Sequence, residues 1–136
     1  MRLIVDAIWE HLHDDGVSWV GFYLKDPSAE QLVLGPRRDK PACSPIGLHG
    51  VCGRCYGEAR PIVVRDVTAL AGGYIACDPR DRAEIVVPLI DASGACYAVL
   101  DLDSFDVGAF ESDDAVQLLQ VLRRAGLQSG GNTLII

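Results

Sequence analysis

Residues 83–104, AEIVVPLIDASGACYAVLDLDS, decide the fold. Two apolar, β-branched runs at 83–91 and 95–104 flank Ala92-Ser93-Gly94, a connection of hairpin length. Successive side chains of a strand point to opposite sides. Cys96, Ala98, Leu100 and Leu102 therefore share one face of the second run, and Tyr97, Val99, Asp101 and Asp103 share the other. The first set reads as core. The second places two carboxylates on one sheet surface, where like charges raise each other's pKa. Glu84, on the partner strand, projects to the same side. The same spacing also suits a plain solvated strand face.

Working outward, residues 61–67 (PIVVRDV) predict a further strand, joined to the hairpin by a Gly-rich loop that carries Cys77. Residues 18–25 (SWVGFYLK) and 31–35 (QLVLG) flank the turn residues Asp26-Pro27-Ser28 and predict a second hairpin. Its alternation opposes Trp19, Gly21 and Tyr23 to Val20, Phe22 and Leu24, and packing against a helix or loop accounts for both aromatic rings. Residues 36–50 (PRRDKPACSPIGLHG) predict a loop, and 51–59 a short helix weakened by Gly53 and Gly57.

Leu3, Ile4, Ala7, Ile8 and Leu12 predict an amphipathic helix over 3–14, ending near Gly16. It begins without a capping signal, as an N-terminal helical segment cut short would. A last helix over 112–125 starts at Ser112, followed by Asp113 and Asp114, with Ala115, Leu118, Leu119 and Leu122 on one stripe. Residues 128–136, ending SGGNTLII, read as a flexible tail. Antiparallel hairpins between terminal helices give an α+β class: one domain over 1–136, a mainly antiparallel sheet with helices packed on one face.

The 136 residues, 49% hydrophobic and 23% charged, suffice for one domain with its own core. A net charge of −7 argues against nucleic acid or an anionic membrane as the main partner, since both reward a basic face. No apolar run approaches the roughly 18 residues of a membrane span. Asp6, Glu10 and His11 interrupt the N-terminal apolar stretch, so it does not read as a signal peptide. Five cysteines without an export signal point to a reducing, cytoplasmic setting, and the odd number leaves at least one unpaired in a monomer.

Cys77 lies in IACDPRDR (75–82), where Asp78-Pro79 reads as an N-cap followed by proline at the first helical position. A thiol beside a helix start gains thiolate character, which Asp78 opposes; an inert loop cysteine fits the same residues. Cys52-Gly53-Arg54-Cys55 is a C-x-x-C that, with Cys43, Cys77 and His49, has the ligand types of a zinc site. It resembles a thioredoxin redox pair only superficially, because the parallel βαβ context is missing.

Seven stretches in fixed order are more specific than any one of them: WVGFYL (19–24), LVLGP (32–36), KPAC (40–43), GVCG (50–53), IACD (75–78), EIVVPL (84–89) and VLDLDS (99–104). Over roughly residues 17–120 the chain resembles the free methionine-(R)-sulfoxide reductases, a family built on the GAF domain. The resemblance implies reduction of free L-methionine (R)-S-oxide to L-methionine, with thioredoxin as reductant, no cofactor, and a homodimer. It implies Cys77 as nucleophile, and Cys43 and Cys52 as the cysteines that form or relay the resolving disulfide. Glu84, Asp101 and Asp103 match the carboxylates that hold the substrate and polarise its oxygen, and Trp19 and Tyr23 the aromatic wall around its methyl end.

Those roles suit the chemistry. A thiolate attacks the sulfoxide sulfur while the oxygen gains protons, which requires a soft nucleophile and a nearby acid. Asp101 is the candidate acid; Glu84 and Asp103, if ionised, suit the substrate ammonium. The resulting sulfenic acid condenses with a second thiol: Cys43 first, Cys52 second, with Cys55, one helical turn from Cys52, as competitor. Against the family pattern, the Cys43–Cys52 spacing is one residue shorter, the loop before IACD one longer, and the leading helical segment mostly missing. Cys55 and Cys96 lie outside the pattern, and Cys96 reads as core. Two rival readings are a non-catalytic GAF-type ligand-binding or redox-sensing domain and a zinc-held interaction module.

Overall fold

The computed structural model describes residues 1–70 and 77–128. In chain order the elements are α1 (Arg2–Leu12), β1 (Val17–Lys25), β2 (Gln31–Arg38), β3 (Ile46–Gly47), α2 (Val51–Glu58), β4 (Ile62–Val64), β5 (Ala83–Ile90), β6 (Cys96–Ser104) and α3 (Ser112–Arg124). The strands form one six-stranded sheet in the order β3-β2-β1-β6-β5-β4, antiparallel at every junction. Both expected hairpins are present. The segment read as a loop is partly strand: β2 runs on to Arg38, and the short β3 pairs with Gln31 and Leu32.

Alternation along the central strands makes two cores. Val20 and Phe22 of β1, Ile85, Val87 and Leu89 of β5, and Ala98, Leu100 and Leu102 of β6 pack against Val5 and Ile8 of α1 and Leu118, Leu119 and Leu122 of α3. Each Val, Ile, Leu or Phe side chain among them contributes about 1.5–3 kcal/mol when fully buried. Trp19, Tyr23, Leu32, Val86 and Val99 face the other way and meet Cys52 and Cys55 of α2. The terminal helices thus share one face, while α2 covers the opposite one, which the one-faced reading did not anticipate. Gly53 lets α2 settle there: a Cβ at this position would lie 2.3 Å from the backbone of Leu48.

A bulge reverses the alternation at the start of β6. Ile90 pairs with Cys96 and Leu89 with Ala98, so Tyr97 is the extra residue. Tyr97 therefore packs toward the α1/α3 core and its hydroxyl donates to the Leu127 carbonyl at 2.7 Å, opposite to the face expected for it. Cys96 is only half-buried, and it comes near enough to Cys55 to raise that thiol's pKa, so it is not part of the α1/α3 core.

The start of α3 at Ser112 agrees with expectation, and the helix start expected after Cys77 does not. The N-cap of α3 is Glu111, one residue before Ser112, and it forms a capping box with Asp114. After Cys77 there is no helix: Asp78 Oδ1 accepts from the Arg80 N–H at 2.9 Å in a local turn, which ends at Asp81. At the C-terminus Gln128 is buried, accepting from Ile90 N at 2.6 Å and donating to the Pro88 carbonyl at 2.9 Å, so it is anchored rather than part of a tail. Residues 129–136, the rest of the expected tail, and residues 71–76 of the Gly-rich loop lie outside the described residues.

Candidate active site

Strand register builds the site floor. Glu84 pairs with Asp103, which pairs on its other side with Trp19; Val86 pairs with Asp101, which pairs with Gly21. Gly21 is required here, because a Cβ would stand 2.3 Å from the Trp19 indole, which crosses over it. Trp19 and Tyr23 lie side by side, ring centroids 6.0 Å apart. Their polar ends act as clamps, which plain packing did not suggest. Trp19 Nε1 donates to the Lys40 carbonyl at 3.0 Å, and the Tyr23 hydroxyl donates to the Cys43 carbonyl at 2.8 Å. Together they hold the 40–43 segment across the site.

Cys43 and Cys77 are joined by a disulfide with Cα atoms 5.7 Å apart, so the altered loop lengths leave this pair within reach. Beneath the bridge lies a cavity of about 50 Å³. Its lining includes Cys77, Cys52, Trp19, Tyr23, Lys40 and the carboxyl groups of Asp81, Glu84, Asp101 and Asp103. The sulfur at 77 and the three expected acids therefore open onto one space. Cys55 is fully buried in α2 behind it and does not reach the lining.

Burial and mutual repulsion set the protonation pattern. Asp101, 4% exposed, is pushed well above the usual carboxyl range by burial and by Asp103 and Glu84. Asp103 is raised by burial and by Glu84 and Asp81. Burial raises Glu84 too, but its side chain bonds to both aspartates, which pulls it back down. The arrangement is two protonated aspartic acids donating to one central carboxylate. The Asp101 carboxyl bonds to Glu84 and to Cys52, and its buried Oδ1 has no hydrogen-bond partner. With its proton retained, Asp103 is poorly suited to pair with an ammonium group. Burial and the neighbouring carboxylates also push the Cys52 and Tyr23 pKa values up, so both stay neutral.

Next to Cys77 the electrostatics are opposite. Asp78 is bound by Lys40 and by Arg80, the latter at 2.9 Å, and the two side chains hold its carboxyl far below the usual range. Lys40 and Arg80 lie over the Phe105 ring at 4.7 and 4.6 Å. Neither Lys40 nor Asp81 was singled out from the sequence. Lys40 sits in the KPAC stretch, but nothing local indicates its ion pair across 38 residues. Asp81 is masked by the turn chemistry of DPRDR.

The proposed zinc set is not assembled. Cys43 and Cys77 are bonded to each other, and His49 is exposed and off the cavity. Among the described residues the one compact group of such side chains is Cys52, Glu84 and Asp101, with ligand atoms within 4.8 Å of one another.

The GAF domain model matches residues 1–124. Protein YtsP of Bacillus subtilis is 42% identical over 106 residues, 76% of this chain and 63% of that protein; the chain thus spans less than two thirds of that relative. The free methionine-R-sulfoxide reductase of Escherichia coli is 38% identical over 117 residues, 85% of this chain and 67% of that one. The crystal structure of free methionine-R-sulfoxide reductase from Neisseria meningitidis, in complex with its substrate, superposes with a TM-score of 0.82 at 36% identity, covering 90% of this chain and 71% of that one. By sequence and by fold, the chain belongs to the GAF domain family and, within it, to the branch that holds the free methionine-R-sulfoxide reductases.

Proposed function

We propose that this chain reduces free L-methionine (R)-S-oxide to L-methionine by a thiol mechanism. The observation that carries the reading is the shared cavity: Cys77 lines it together with three hydrogen-bonded carboxyl groups and two aromatic rings, with Cys43 in disulfide reach. In the reduced protein the Cys77 thiolate attacks the sulfoxide sulfur between Trp19 and Tyr23. Asp101 gives its proton to the oxygen, and Asp103 replaces that proton through Glu84. Oxygen passes to Cys77 as a sulfenic acid and methionine leaves. Cys43 then attacks Cys77, the S–O bond breaks, water departs and the disulfide forms. A dithiol of the thioredoxin type reduces the bridge and restores both thiols.

Lys40 and Arg80, gathered on the residue next to Cys77, take the place of the expected helix dipole as the positive charge favouring thiolate. Cys52 lies closer to the acids and serves as second resolver. The cavity of about 50 Å³ has room for a few water molecules, and the bridged form corresponds to the oxidised state that follows resolution of the sulfenic acid. A homodimer and a cytoplasmic setting, where thioredoxin keeps thiols reduced, complete the reading. No helix of the described residues is long and apolar enough to cross a membrane.

Coupled thioredoxin turnover with the separate R and S epimers of free methionine sulfoxide tests this. Turnover confined to the R epimer is expected. No turnover with either, by a folded and fully reduced protein, would return the chain to the ligand-binding or redox-sensing class of GAF domains.

A further inference from the structure

The cavity has a fourth carboxyl group that the reaction above does not use. Asp81 is 5% exposed, lines the cavity, and holds a buried Oδ1 with no hydrogen-bond donor. Its neighbours explain why that oxygen is left over. Lys40, the nearest cation, is drawn to Asp78, and Arg80 is bound to the same carboxylate. On the sheet side, Glu84 of β5 and Asp103 of β6 face Asp81 and bring only like charge or a proton already given to Glu84. Three of the four acids thus bond through Glu84, and the fourth, outside that network, presents a buried acceptor to whatever enters.

We propose that Asp81 receives the α-ammonium group of the bound amino acid and so makes the site select a free amino acid over a residue within a polypeptide. The proposal rests on the reductase reading. A peptide-bound or N-acylated methionine sulfoxide has an amide in place of the ammonium and cannot neutralise a buried carboxylate. Asp101 and Asp103 are bonded to Glu84 and hold protons, which makes them poor partners for a cation, so the role falls to Asp81, whose buried Oδ1 has no donor. Burial and the carboxylates of Asp78 and Glu84 raise Asp81 to about 6, against the pull of Lys40 and Arg80. Its ionisation therefore falls in the range where enzyme assays are run, and binding an ammonium favours the ionised form.

The test compares wild type with Asp81→Asn and Asp81→Glu, using free methionine (R)-sulfoxide and its N-acetyl derivative. For Asp81→Asn, KM for the free substrate is expected to rise about tenfold or more, with kcat held within about threefold. The N-acetyl compound should be a poor substrate for every variant, so the preference for the free form collapses by the same factor. Asp81→Glu should recover part of it. In wild type, kcat/KM for the free substrate should rise with pH through about 6, and that limb should be absent in Asp81→Asn. An unchanged KM, preference and pH limb in a folded Asp81→Asn protein would overturn the assignment and leave the reductase reading intact. Should that variant not fold, the wild-type profile decides, since the limb must appear with the free substrate and be missing with the N-acetyl one. Wild type inactive on both compounds would overturn the reductase reading, and the role of Asp81 with it.

Discussion

Leu100 and Asp101 are adjacent on one strand and nearly equally buried, yet they live in opposite worlds. Leu100 faces a core of aliphatic side chains from α1 and α3, where every contact is satisfied by proximity alone. Asp101 faces the α2 side, where an acid without a donor, two like-charged neighbours and a buried thiol are packed around a small cavity. The sheet gives the first face stability and asks the second to hold groups that would sooner be in water. Buried polar stress on one side, tolerated because the other side is well packed, is how a small domain positions an acid that keeps its proton near neutral pH.

The comparison can be broken at several points. Cys77→Ser should remove turnover by more than about a thousandfold while leaving the melting curve of the reduced protein little changed, since Cys77 supports no core. Asp101→Asn should lower kcat by about a hundredfold to ten-thousandfold, as expected for loss of a positioned acid. Leu100→Ala should do the reverse: a loss of about 2–5 kcal/mol in denaturant unfolding, with kcat preserved wherever the variant stays folded. Tyr23→Phe, which deletes the clamp on the Cys43 carbonyl, should cost only about 1 kcal/mol and slow disulfide formation several-fold, read by stopped-flow quenching.

Stability against pH sharpens the same contrast. Asp101 and Asp103 bind protons more tightly folded than unfolded, so above the unfolded carboxyl value of about 4 the folded state holds more protons and stability falls as pH rises. Asp78 is shifted the other way, so its contribution is present above about pH 4 and is lost as pH falls below it. Thermal melts across pH should show Asp101→Asn flattening the loss on the alkaline side and Asp78→Asn flattening the loss on the acid side.

Much of this was legible in the residues. Period-two alternation is local, so it located β5, β6 and the β1–β2 hairpin and put Asp101 and Asp103 on one side. It failed at Cys96 and Tyr97, because a bulge is set by pairing with the neighbouring strand and not by the strand's own sequence. The expected helix after Asp78 does not form although Asp78 Oδ1 makes the cap bond to the Arg80 N–H: the chain closes a single turn back to the Asp78 carbonyl at Asp81 and enters β5 at Ala83. The side of the sheet that α2 covers, and the gathering of Lys40 and Asp81 around Cys77, depend on contacts between distant segments that no spacing encodes. The cysteine and carboxylate stretches were readable because family resemblance supplies that long-range information indirectly.

The most direct test is a single turnover without any external reductant. Fully reduced protein is mixed with excess free methionine (R)-sulfoxide, methionine is counted, and the oxidised chain is digested for disulfide mapping by mass spectrometry. One methionine per chain, with Cys43 joined to Cys77 and Cys55 and Cys96 still free, is the expected result. Methionine formed with Cys77 still a thiol, or no methionine at all from a folded reduced chain, would contradict the account.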